Sequence, residues 1–141
     1  MIERARILDL IAEIQGSVRR LQKMSQMTFE DFDANPDNFA VAEHHLRRIL
    51  EIVLDIGRHI IARQALGRPG DYTQIFDILG QQGVLPQDYV ARNRGLPGYR
   101  NRLVHIYHEI TSGEIFEIIS VRLKDIEEFC RLIIEYMNKL N

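Results

Sequence analysis

The sequence has one cysteine, Cys130, only three lysines, and no apolar run near the roughly 20 residues that a membrane-spanning helix requires. A lone cysteine forms no internal bridge, and Cys130 lies in an apolar helical pattern. It reads as a small buried hydrophobe in a reducing compartment, and the chain as cytosolic. With no apolar span, no membrane association is expected. The opening residues MIERARILDL carry acids and lack the apolar core and small-residue cleavage site of a signal peptide, so the chain is expected to begin at Met1. The net charge of −2 excludes a surface that attracts nucleic acid everywhere. The scarcity of lysine has a counterpart: fifteen of the eighteen cations are arginines, whose planar fork grips phosphate oxygens two at a time. At 141 residues, the length fits one domain, 1–141, that folds without a metal or a disulfide.

Strand-like alternation, internal repeats and low-complexity segments are also lacking. Helical spacing takes their place. Ile7, Leu10, Ile11, Ile14, Val18 and Leu21 recur at steps of three and four, which predicts a helix over residues 2–24 despite Gly16. Thr28 is a candidate N-cap for the short acidic helix FEDFDA, and Asn35-Pro36-Asp37 punctuates it. Leu46, Ile49, Leu50, Val53, Ile56 and Ile60 stripe a long helix through about residue 66, stopped by Gly67-Arg68-Pro69-Gly70. Asp71 is placed to cap a helix around Ile75, Phe76, Ile78 and Leu79, and Pro86 starts another piece. Pro97 suits the first turn of a helix carried to about Ile110, and Thr111-Ser112-Gly113 supplies a turn. A last helix sets Ile119, Leu123, Ile126, Cys130, Ile133 and Met137 at alternating steps of four and three. The expected fold is all-α: an up-and-down bundle of four main helices with additional short ones.

Between residues 89 and 108 there are four arginines (Arg92, Arg94, Arg100 and Arg102), two histidines and no acid. Within it, GYRNRLVHIYHEI (98–110) concentrates Arg100, Asn101, Arg102, His105, Tyr107 and His108. On a continuous helix Asn101 and His105 share a face that His108 extends, and Arg100 and Tyr107 share a neighbouring one. Arg100 and His105 lie about 140° apart, which points to a site completed across a dimer interface. His105 sits near the negative end of the helix dipole, where an imidazolium is favoured, and histidine is a ready general acid or base. An arginine beside it is suited to hold a phosphate and stabilise charge during phosphoryl transfer. This combination suggests RNA cleavage without a metal, the 2′-hydroxyl attacking the adjacent phosphate to leave a 2′,3′-cyclic phosphate and a 5′-hydroxyl. The plainer reading is a solvated helix face with a hydrogen-bonded structural histidine.

YRNRLVHIY, residues 99–107, resembles the signature of the HEPN superfamily: an arginine, four to six residues, a histidine, one residue, a tyrosine. More narrowly, GYRNRLVHIYHEI, the segment AEHHLRRILEIVLDIGRHII (42–61), the length and the helical pattern resemble the HepT-like toxins of MntA/HepT toxin–antitoxin systems. The resemblance covers nearly the whole chain. It implies a HEPN-like helical homodimer, or a higher assembly, whose two motifs face each other as a ribonuclease site acting on RNA without a cofactor. It implies Arg100 and His105 as the catalytic pair and Asn101 in support, to which we add Arg102. It also implies that Tyr107 is the tyrosine to which an MntA-like nucleotidyltransferase antitoxin adds AMP. The adduct would bring charge and bulk to the Arg100 face, which requires Tyr107 to be at least partly exposed.

Two rival functions remain at this level. One is a non-catalytic nucleotide- or substrate-binding partner of a nucleotidyltransferase, and the other an interaction scaffold. The presence of both Arg100 and His105 favours the enzyme. His44-His45 and the His105 to His108 spacing invite a metal, but no carboxylate or cysteine cluster completes either set, so no metal is expected. His44, His45, Arg47 and Arg48 read as a solvated face of the long helix. No Gly-rich phosphate loop and no serine or cysteine nucleophile constellation is present.

Overall fold

The apolar stripes become the core of a helical bundle. In the computed structural model, which describes residues 1–140 and only the backbone of Tyr107, the elements are α1 (Arg4–Ser25), α2 (Phe29–Ala34), α3 (Pro36–Arg63), α4 (Tyr72–Gln81), α5 (Gln87–Arg92), α6 (Gly95–His105), a 3₁₀ turn (Tyr107–Glu109), α7 (Ser112–Val121) and α8 (Leu123–Lys139). There is no strand among the described residues. Helix α3 is the hub: α1, α2, α4, α6 and α7 all pack on it, and α8 lies along α1. All six stripe positions named for each of α1 and α3 are buried, as are the six from Ile119 to Met137. Burying such stripes drives the packing, at roughly 25 cal/mol per Å² of apolar surface removed from water.

The helix starts follow local capping chemistry. Thr28 Oγ1 accepts from Asp31 N at 3.1 Å and Asn35 Oδ1 from Asp37 N at 3.0 Å, with Pro36 at the first helical position of α3. Asp71 Oδ1 accepts from Gln74 N at 2.9 Å, which opens α4 where the sequence predicts. Helix α3 stops at Arg63, short of residue 66, because Ala65 turns to a φ of 54° and Gly67 to 146°, a conformation suited to glycine. The last helix also departs from expectation. Its stripe is continuous, but the helix is divided at Arg122 into α7 and α8, and the guanidinium there reaches away to Asn93 Oδ1 at 2.7 Å. Midway along α3, Gly57 lets α4 approach: a Cβ there would meet Ile75 Cγ2 at 2.6 Å.

The histidine pair of α3 is not wholly solvated. His45 is half-buried, its Nδ1 3.0 Å from Ser17 Oγ of α1, and its ring meets that of His44 edge-on at 5.2 Å. The adjacent cations are neutralised, Arg47 by Glu43 and Glu51, and Arg48 by Glu13 of α1. Burial, then the nearby His44 and Arg20, hold the His45 pKa below its ordinary 6.5. Above 6.5 both folded and unfolded chains carry His45 neutral. As pH falls through 6.5 the unfolded chain takes the proton first, so stability declines until the folded-state pKa is passed. His45→Gln is therefore expected to flatten the loss of urea-unfolding stability below pH 6.5, whereas an unchanged slope would show that His45 does not couple folding to pH. Cys130 is buried in α8, where burial pushes its thiol up to about 12. Among the described residues, no helix is long and apolar enough to cross a membrane.

Candidate active site

A buried polar knot mounts α6. Asn93, in the bend between α5 and α6, is fully buried; its Nδ2 donates to Tyr89 O at 2.9 Å and its Oδ1 accepts from Arg122 Nη2. Arg122 Nε lies 2.9 Å from Asp125 Oδ2, and the buried Tyr89 hydroxyl donates to Asp125 O at 2.8 Å. Burial, with Asp125 and Glu128 nearby, drives the Tyr89 hydroxyl pKa far above its usual value, so it remains a donor. Leu96 N then bonds Asn93 O at 3.1 Å, and buried Leu96, Pro97 and Leu103 seat the helix. The start of α6 is thus tied to α8, and its direction is fixed.

Three of the four arginines in the acid-free stretch find carboxylates on other elements. Arg94 pairs with Asp77 at 2.9 Å, and Arg92 lies within 3.7 Å of Asp88, Asp125 and Glu128. Arg102 makes a two-pronged bond to Glu114, at 2.9 and 3.0 Å, and its guanidinium lies 5.4 Å from the centre of the Tyr99 ring. Arg100 differs. It is half-buried, donates from Nη1 to Asn101 Oδ1 at 3.3 Å, and lies 4.7 Å from the centre of the Tyr72 ring. Among the described residues it has no carboxylate partner. Asn101 lines an open cleft of about 410 Å³ with Arg58, Gly70 and Tyr72. Among the described residues the buried Tyr99 hydroxyl has no hydrogen-bond partner, and Tyr99 borders a separate cavity with Leu46, Leu50, Ile118 and Arg122.

His105 is the last residue of α6 and is exposed. Among the described residues, nothing hydrogen-bonds its ring, and no hydrogen bond joins it to Arg100. The helix does not continue to Ile110 as its sequence suggests. Ile106 leaves helical geometry at φ −134° and ψ 36°, after which Tyr107 to Glu109 form the 3₁₀ turn. The cause is the next element: Ile110 must be buried and Thr111 must cap α7, its Oγ1 accepting from Glu114 N at 3.1 Å, while Glu114 grips Arg102. β-Branched and aromatic residues at 104, 106 and 107 do little to sustain helix against that pull. The shared helical face of Arg100 with Tyr107, and of His105 with His108, is therefore lost, while Asn101 and His105 keep theirs. The exposure expected of the Tyr107 side chain lies outside the described residues. Among those residues no group of three or more His, Cys, Asp or Glu side chains could hold a metal.

The sequence reading missed Tyr72, Arg58, Asn93, Arg122 and Glu114. A hint existed for Glu114: a carboxylate three residues after a capping threonine sits in the first turn of a helix, facing whatever precedes it. For the others no local pattern announces a partner 14 to 29 residues away.

The Ribonuclease HepT-like family matches residues 14–133. The mRNA nuclease HepT of Shewanella oneidensis is 27% identical over 128 residues, covering 89% of this chain and 96% of that one. The tRNA nuclease HepT of Aphanizomenon flos-aquae is 26% identical over 132 residues, covering 93% and 90%. The solved structure of the tri-AMPylated Shewanella oneidensis HEPN toxin in complex with MNT antitoxin superposes with a TM-score of 0.82 at 26% identity, covering 92% of this chain and 96% of that one. With its helical fold and its arginine–histidine motif, the chain belongs to the Ribonuclease HepT-like family.

Proposed function

We propose that this chain is a metal-independent endoribonuclease, the toxin of a type VII-like toxin–antitoxin pair, which cuts RNA through its own 2′-hydroxyl. The observation that carries the reading is Arg100, a half-buried arginine without a carboxylate partner among the described residues, on the same helix as an exposed His105. Its relatives' names as mRNA and tRNA nucleases support the substrate class. Arg100 would bind the scissile phosphate through its free N–H groups. His105 would take the proton of the 2′-hydroxyl as the 2′-oxygen bonds to phosphorus and the bond from phosphorus to the 5′-oxygen breaks. A proton then goes to that 5′-oxygen from His105 of a second copy, because the motif of one copy supplies a single His105, which is taking the 2′-proton in the same step. A homodimer follows from this requirement. Asn101 supports Arg100 directly, and Arg102 supports the site through Glu114 rather than by holding phosphate.

Silencing is assigned to AMP addition at Tyr107 by an MntA-like nucleotidyltransferase, two residues from His105. The known complex of an AMPylated relative with its MNT antitoxin supports this regulation. The test is cleavage of a mixed-sequence RNA in EDTA by protein whose intact mass shows no AMP. Cyclic phosphate and 5′-hydroxyl ends are expected. Cleavage only after a divalent metal is restored, or ends of the opposite polarity, would defeat the mechanism.

A further inference from the structure

An arginine that must bind phosphate has two needs in tension: it must be held in place, yet a carboxylate that holds it also consumes its charge and its donors. Arg92, Arg94 and Arg102 are held in that costly way. Arg100 is held differently, by the face of Tyr72 at 4.7 Å. An aromatic face attracts a guanidinium through its quadrupole and leaves the N–H groups at the edge of the plane free to donate.

We infer that Tyr72 is a positioning residue for the proposed nuclease site, stacking Arg100 so that its guanidinium is oriented without a carboxylate and stays open to phosphate. The inference rests on the nuclease reading above. Tyr72 is itself well anchored. It is the first residue of α4, fixed by the Asp71 cap, and its ring packs against the core. The guanidinium of Arg58 of α3, bonded to Asp55, lies 5.6 Å from the centre of the same ring. Helix α4 is in turn seated on α3 at Gly57, where a side chain would collide with Ile75. The chain of support runs from α3 through α4 to the motif arginine on α6. Asn101 adds a lateral contact at 3.3 Å.

Two measurements on the full chain test this. In cleavage of a mixed-sequence RNA, Tyr72→Leu is expected to lower kcat/KM about tenfold, Tyr72→Phe to recover most of it, and Tyr72→Leu to cost nothing further in the Arg100→Ala background. Equal losses in Tyr72→Leu and Tyr72→Phe, or a full additional loss in the Arg100→Ala background, overturn the inference. In NMR, the Arg100 Hε resonance, assigned by its disappearance in Arg100→Ala, is expected to be displaced upfield by the ring current in the wild type and Tyr72→Phe, and to return in Tyr72→Leu. A wild-type resonance at the ordinary arginine position overturns the inference whether or not RNA is cut. A displaced resonance in a chain that cuts no RNA removes the nuclease reading and leaves Arg100 held by Tyr72.

Discussion

His105→Ala is expected to lower RNA cleavage by about a hundredfold or more while leaving the unfolding midpoint where it was. Both halves of the expectation come from position. His105 is exposed at the last turn of α6, and among the described residues nothing hydrogen-bonds its ring, so truncation removes no hydrogen bond and little burial. Loss of a general acid–base typically costs about 10²–10⁴ in rate. Arg100→Ala should cost a similar factor by removing the charge that meets the phosphate, and Arg100→Lys should recover little, because a point charge does not reproduce the two-pronged fork. Gel-resolved cleavage rates set beside urea unfolding curves read both quantities. Cleavage by His105→Ala at the wild-type rate would remove His105 from the chemistry. A collapse of the unfolding midpoint would instead make it a structural histidine.

Asn93→Ala is expected to produce the opposite signature, a stability loss of about 1–3 kcal/mol. The side chain is fully buried and bonded on both sides, to the Tyr89 carbonyl and to the Arg122 guanidinium. Truncation takes one of two donors from the Tyr89 carbonyl, which keeps its bond from Asn93 N at 3.1 Å, and leaves the Arg122 cation with one partner fewer. Asn93→Asp should be milder at the Arg122 side, where a carboxylate still accepts, but it loses the donor to Tyr89. Denaturant unfolding decides the matter: an unchanged midpoint in Asn93→Ala would mean that the knot beneath α6 carries no weight.

The bundle was written in periodicity. Burial of one face leaves a regular imprint at steps of three and four, and the stripes of α1, α3 and α8 carry that imprint without interruption. Caps at Thr28 and Asp71 were readable because a side chain answers a backbone N–H three residues on, whereas Asn35 read as punctuation and proves to cap α3. The motif's residue types were equally plain. Their surroundings were not. The stretch from 89 to 108 holds no acid of its own to signal a partner, yet Asp77, Glu114, Asp125 and Glu128, distant in sequence, neutralise three of its four arginines. The end of α6 was misjudged for a related reason. Whether a helix continues past His105 is decided by the burial of Ile110 and the Arg102–Glu114 pair, which are tertiary facts. Tyr72 gave no signal, since a stack between the first residue of one helix and the middle of another has no sequence spacing.

The break at Ile106 separates the helix that carries Arg100 and His105 from the turn that begins at Tyr107. Arg100 and His105 ride on a helix clamped at its start to α8 and near its end to α7, so their mutual bearing is stiff. Tyr107 begins a single 3₁₀ turn beyond the break. An enzyme that appends a nucleotide to a tyrosine must fold its own active site around that residue, and a short turn offers a handle that a mid-helix position, hemmed by neighbours at three and four residues on either side, does not. In the reading proposed here, the surface that another protein must grasp is joined to the cutting machinery by one non-helical residue and shares no backbone turn with it.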